Sequence, residues 1–202
     1  MNLLVPHGSV IPMGKVYGAI DQRLSKFIEQ QVVFFVATAP LSSDGHVNLS
    51  PRGLPGTFAV IDEHTFAWLD VTGSGSETIA HLRENGRITV MFCAFDGRPN
   101  IVRLHGTGRV VTRYDHDFES LAQRFDDKPG ARAVIVVDVH RVSDSCGWGV
   151  PLMSFEGHRD LLGPYFERKG VDGSADYRIT KNRTSIDGLA AYDFDPAEPA
   201  GV

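Results

Sequence analysis

The polarity pattern is mostly that of short strands. Val32-Val33-Phe34-Phe35-Val36-Ala37-Thr38 is dense in β-branched and aromatic residues, as a half-buried pleated surface favours. Ser42-Ser43-Asp44-Gly45 carries an Asp-Gly hairpin signal, and His46 to Ser50 alternates in polarity as a return strand should. Thr57 to Ile61 and Thr65 to Val71 flank the turn Asp62-Glu63-His64 and read as a second hairpin. Ile88 to Phe95, Ile101 to Thr112 and Ala133 to Val142 are further strands, with Asp96-Gly97-Arg98-Pro99 as the turn between the first two. Three stretches follow the helical period instead. Asp21 can cap a helix carrying Leu24, Phe27, Ile28 and Gln31, while Ser76 to Glu84 and Tyr114 to Arg124 repeat that spacing. About seven strands and three short helices before residue 145 predict a mainly β fold built as a small barrel.

The flanks differ. Residues 1–17, with Pro6, Gly8, Pro12 and Gly14, read as an extended N-terminal arm. Residues 18–155 carry the barrel. Residues 156–202 read as a C-terminal extension, helical from Arg159 to Arg183 and then a flexible acidic tail from Asp193.

Composition narrows the function. The 202 residues are 42% hydrophobic and 22% charged, as in an ordinary globular protein. The net charge is −5 without a basic stripe, which argues against a nucleic-acid partner. Two cysteines, Cys93 and Cys146, make neither a disulfide framework nor a CxxC zinc pair, and a reducing cytoplasm is the simplest compartment. The longest apolar run, Val32 to Ala39, is too short to span a bilayer, and the first residues do not read as a signal peptide. None of the eight histidines falls at metal-ligand spacing, and no GxSxG elbow is present.

Three segments can carry chemistry. Asp70-Val71-Thr72-Gly73-Ser74-Gly75-Ser76-Glu77-Thr78 runs from strand to helix through two glycines and several hydroxyls. Bare backbone at a helix start attracts anions, so the segment can cradle a phosphate. From the motif alone it reads more readily as a turn in which Ser74 or Ser76 caps the helix, the commoner use of such a motif. Asn48-Leu49-Ser50-Pro51-Arg52-Gly53 places an arginine at a strand end, where it can meet phosphate or remain a solvated surface residue. Ser145-Cys146-Gly147-Trp148-Gly149-Val150-Pro151 sets a tryptophan between glycines, as a core plug or as a platform for an aromatic ligand.

Taken together, these segments with Gln31 to Ala39 and Arg87-Ile88-Thr89-Val90-Met91-Phe92 resemble a bacterial branch of the pyridoxamine 5′-phosphate oxidase-like flavoproteins. The resemblance covers roughly residues 18–155. It implies a six-stranded split β-barrel that forms a homodimer with two FMN sites at the interface. It assigns cofactor contacts to Ser50, Arg52, Gly53, Thr72, Ser74, Ser76 and Thr78, to Arg103 on a strand lining the site, and to Trp148 over the ring. The sequence departs from the vitamin B6 oxidase where basic residues would stand, at Ser76-Glu77-Thr78. It also has Ile101 at the place of a glutamine near the ring and lacks the C-terminal substrate pattern. The expected activity is therefore flavin-dependent oxidation or reduction of a small molecule other than vitamin B6. The alternatives are a non-catalytic flavin carrier and a deazaflavin F420- or haem-binding member of the fold. No catalytic acid or base stands out, as expected where the cofactor carries the chemistry.

Overall fold

The computed structural model describes residues 14–73 and 75–192. Most of the predicted arm, Ser74 and the predicted flexible tail lie outside the described residues. The fold is mainly β with short helices. The strands are β1 (Val16–Tyr17), β2 (Phe34–Thr38), β3 (Asn48–Arg52), β4 (Phe58–Asp62), β5 (Thr65–Val71), β6 (Arg87–Cys93), β7 (Ile101–Thr112) and β8 (Ala131–Ser145). The helices are α1 (Gln22–Glu29), α2 (Glu77–Asn85), α3 (Phe118–Ala122) and α4 (Leu162–Lys181).

Every strand pair is antiparallel, in the order β3-β2-β6-β7-β8-β5-β4, with β1 added against β8. The path is open, ending in β3 and β4. Among the described residues the sheet has eight strands where the resemblance implies six. One addition has a simple cause. β8 is 15 residues long, and β5 covers only its first part, Ala131 to Asp138. The uncovered edge further along takes β1, which pairs Val16 with Ser143 and Tyr17 with Val142.

The strands form where β-branched and aromatic residues alternate, and their inward faces meet in an aromatic cluster. The Phe34 ring lies 5.0 Å from Phe58, 5.4 Å from Phe92, 5.5 Å from Phe66 and 5.8 Å from Trp68, mostly edge to face. Such pairs add about 0.5–1.5 kcal/mol beyond the area they bury. Leu24 and Ile28 of α1 close one end of this core, and the Asp21 carboxylate caps α1 by accepting from Leu24 N at 2.8 Å. α3 is shorter than its spacing predicts. Asp115 accepts from both the backbone N–H and the hydroxyl of Thr112 at 2.7 Å, which holds the preceding residues in a turn.

α4 lies within the stretch predicted as helical and is kinked at Gly170, whose φ is 67°. After it, residues 182–192 fold back on the sheet, and Ala191 and Tyr192 enter the main core. Among the described residues no helix is long and apolar enough to cross a membrane.

Candidate functional site

A cleft of about 620 Å³ opens where β3, the end of β5 and the start of α2 meet. Its apolar wall includes Val32, Val33, Leu54 and Trp68, and its polar wall includes Asn48, Ser50, Arg52, Asp70, Thr78 and Arg132. His158 and Arg159, just before α4, border it from the other side.

A buried ion triad organises the polar wall. Asp70 shares the inward face of β5 with Phe66 and Trp68 and is 2% exposed. Its partner Arg132, also 2% exposed, is the extra residue of a β-bulge. Asp70 pairs with Ala133 and Val71 with Ala131, so Arg132 has no opposite residue in the ladder. Bulges re-aim a side chain, and here the Arg132 Nε donates to Asp70 Oδ2 at 2.7 Å. One Arg132 Nη donates to the Gly75 carbonyl at 3.0 Å, while the other, Nη1, is buried without a hydrogen-bond partner. Arg52 stands on the far side of the carboxylate, with Nε 3.5 Å from Asp70 Oδ1 and likewise without a hydrogen-bond partner. Burial alone would raise the Asp70 pKa. The two guanidiniums and the Arg132 hydrogen bond outweigh it and hold the carboxyl below the usual carboxylate range. Two positive charges thus face one negative charge, with buried N–H groups still unpaired beside the cleft.

Thr72, Gly73, Gly75 and Ser76 lie beside this triad. Thr72 is fixed by donating both its backbone N–H and its hydroxyl to the Gly130 carbonyl, at 2.8 and 2.7 Å. Gly53 closes the opposite side with φ of 149°, and a Cβ there would run into the Val32 carbonyl, so only glycine lets these backbones approach. Ser76 is the N-cap residue of α2, yet its hydroxyl does not cap the helix. It is buried and donates to the Thr184 carbonyl at 3.3 Å. The positive end of α2 therefore lacks a side-chain cap. Glu77 accepts from the Ile186 N–H at 3.1 Å, and so points at residues 184–190 rather than at an arginine. Asn48 donates to Thr38 and Thr78, both at 3.1 Å, which ties β3 to α2 beside the cleft. Thr38 in turn bonds the buried His81 Nδ1 at 2.9 Å.

The structure brings Ser50, Arg52, Gly53, Thr72, Ser76 and Thr78 to this one cleft. The hydroxyls of Thr72 and Ser76 are engaged with backbone carbonyls, the half-buried Ser50 donates to Asn48 Oδ1 at 3.3 Å, and the buried Thr78 hydroxyl accepts from Asn48. Arg103 and Trp148 are not part of it. Arg103 donates to Ser145 Oγ at 3.1 Å. Trp148 is 78% exposed, which rules out the core-plug reading, and lies in a separate cleft of about 590 Å³ with Arg23, Arg98, Asp144 and Cys146. Gly147 sets that turn at φ of 67°, where a Cβ would press on the Asn100 backbone.

The predicted site residues omit Arg132 and Asp70, though both left a trace. Asp70 is a charge in the otherwise apolar β5 and Arg132 an opposite charge just before the apolar run Ala133 to Val137, places where buried charges stand only when paired. That they pair depends on the β5–β8 register and its bulge, which local pattern does not fix.

Comparison with known proteins bears on this arrangement. The family model described as pyridoxamine 5′-phosphate oxidase matches residues 20–146. A pyridoxamine 5′-phosphate oxidase family protein of Aspergillus flavus, ustO, is 41% identical over 189 residues, covering 86% of this chain and 76% of that protein. Among solved structures, HupZ of Group A Streptococcus is 24% identical over 61% of this chain and 91% of its own, with a TM-score of 0.48. An FMN-binding protein of Syntrophomonas wolfei is 15% identical over 61% and 88%, with a TM-score of 0.45.

Proposed function

The chain belongs to the pyridoxamine 5′-phosphate oxidase family, and from that membership and the cleft we propose that it is a flavoprotein. It holds FMN and acts as an oxidoreductase on a small molecule that it does not share with the vitamin B6 oxidase. The observation that carries this reading is the buried Arg132, whose Nη1 is unpaired where the cleft meets the uncapped start of α2. A buried donor without a partner costs roughly 1–3 kcal/mol, and a phosphate oxygen supplies the missing acceptor. The cleft volume lies within the range of cofactor pockets.

In this reading Arg132, Arg52 and the first-turn N–H groups of α2 meet the phosphate, and Ser50 and Thr78 add hydroxyl contacts. Asp70 keeps both guanidiniums in place. Trp68 and the valines Val32 and Val33 give the ring an apolar wall that excludes water. A bound flavin supplies hydride or electron transfer, so the protein contributes placement and electrostatics.

The chain also works as a homodimer. Val150 to Leu161 follows β8 as an extended arm, and Leu152, Met153, Phe155 and Leu161 on it are each more than half exposed, as is Trp148 just before it. A second copy covers these side chains, and the partner's Trp148 and Arg103 regions complete the ring site. Sedimentation at micromolar concentration is expected to give a dimer.

The direct test is the visible spectrum of the protein purified without added cofactor, with denaturation to identify what is released. A two-band yellow spectrum and released FMN support the reading. Release of FAD or F420, or a Soret band, reassigns the cofactor. A colourless protein that does not bind added FMN removes the flavin. Turnover is tested by reduction with NADH or NADPH and reoxidation by an acceptor; a bound flavin that does neither marks a carrier.

A further inference from the structure

We propose that residues 182–192 are a clamp that holds Gly73, Ser76 and Glu77 in an arrangement able to bind an anion, with Asn182 as its central positioning residue. The segment lies outside the residues matched by the family model, 20–146. It touches the loop at Gly73, Ser76 and Glu77. Asn182, fully buried at the end of α4, donates its Nδ2 to the Gly73 carbonyl at 3.0 Å. The Thr184 carbonyl accepts from Ser76, and the Ile186 N–H donates to Glu77. The Tyr192 hydroxyl donates to the Arg132 carbonyl at 3.1 Å, on the residue that bears the unpaired Nη1.

The clamp holds its own shape. Thr184 and Ala190 form a bridge, and the Ser185 hydroxyl accepts from the Asp187 and Leu189 N–H groups at 3.2 and 3.1 Å. It is fastened at its C-terminal end and at its middle. Ala191 and Tyr192 are buried in the core, with the Arg178 guanidinium 5.9 Å from the Tyr192 ring. On the surface, Asp187 accepts from the His46 backbone N–H at 2.8 Å and from its ring at 2.6 Å.

These contacts give the segment a defined task. They take up the Ser76 hydroxyl and the Glu77 carboxylate, the two groups that would otherwise cap the helix or repel an anion. The α2 start is thereby left open to the cleft, and the loop carbonyls of Gly73 and Gly75 are tied to Asn182 and Arg132.

The inference rests on the flavin reading only for its ligand, and the test separates the two. Full-length wild type, Asn182→Ala and Asp187→Ala are compared by hydrogen exchange over residues 71–78 and by titration with FMN and with riboflavin, which lacks the phosphate. In both variants exchange at 71–78 is expected to quicken while β7 and β8 are unchanged. FMN affinity should fall about fivefold to tenfold for Asn182→Ala, the loss of one buried hydrogen bond, with riboflavin affinity unaltered. Asp187→Ala removes only a surface contact, so it remains folded if the buried variant does not. Unchanged exchange in both variants overturns the clamp, as does an equal loss for FMN and riboflavin. If wild type binds neither flavin, the flavin reading fails and the exchange result alone decides the clamp.

Discussion

The two clefts are nearly equal in volume, and each holds arginines, an aspartate and a tryptophan, yet their carboxylates differ in what they leave unpaired. In the first, Asp70 is buried between Arg52 and Arg132, and guanidinium N–H groups remain without partners. In the second, Asp144 is engaged by the chain itself. It accepts from the Lys15 N–H at 3.0 Å and from the Tyr17 hydroxyl at 2.5 Å, and Arg23 lies 3.8 Å away and more than half exposed. The second carboxylate fastens β1 to β8, and its arginine is solvated. Volume and residue types do not tell which carboxylate leaves donors unpaired beside it; buried charge with unmet hydrogen bonds does.

The sharpest way to break this contrast is Asp70→Asn. It leaves Arg132 buried without its counter-charge, and the expected loss is about 3–5 kcal/mol in urea unfolding. A loss under 1 kcal/mol would mean that the triad is not the structural element described. The same substitution should reshape acid unfolding. The native Asp70 pKa lies below its unfolded value, so its contribution is complete above the unfolded pKa, near 3.8, and fades as pH falls through the lower native one. Wild type should lose that stability below pH 4, and Asp70→Asn should lack that limb of the melting-temperature profile.

Arg52→Ala comes next. Arg52 is partly exposed and 3.5 Å from Asp70, so folding should be nearly unaffected. FMN affinity should fall roughly tenfold to a hundredfold, the range for a hydrogen bond to a charged group, as read by fluorescence quenching of the flavin. An unchanged affinity removes Arg52 from the phosphate site.

A smaller effect is expected at the clamp. The Asp187 hydrogen bond and charge raise the His46 pKa, and His46 lowers that of Asp187. The His46 contribution is complete below its unfolded pKa, near 6.5, and is lost as pH rises through the higher native value. Exchange over residues 71–78 should therefore quicken as pH passes above 6.5, after correction for intrinsic rates, and His46→Gln should remove that step. The smallest effect belongs to the second cleft, where Arg23→Ala should change stability by less than about 0.5 kcal/mol and leave flavin affinity alone.

Much of the fold was legible because its elements are locally consistent. β5 and β7 have the bounds that their alternation predicts, and α1 begins where Asp21 can cap it. The cleft was legible in part. Arg52 and the glycine-serine loop announce themselves by residue type and by their place at element ends. Arg132 did not, because its role comes from a bulge in long-range pairing. The hydroxyls of Thr72 and Ser76 look free in the sequence, and only tertiary contacts with residues 130 and 184 show that they are engaged. Residues 182–192 carry no motif, since their contacts, two from the backbone and the rest from scattered side chains such as Asn182, Asp187 and Tyr192, depend on where the segment docks.

The clamp also sets the order in which the molecule can be finished. Asn182 and Gly73 are 109 residues apart, Thr184 and Ser76 108, and Asp187 and His46 141. Contacts of such long range close late, after the sheet that supports them has formed. During synthesis the strands of the sheet leave the ribosome well before residues 182–192. A nascent chain can thus hold a nearly complete sheet while its anion loop is still loose. If the chain holds the proposed cofactor, its capture becomes a late step of maturation, and a chain cut before residue 182 would lose Ala191 and Tyr192 from the core and bind the cofactor more weakly.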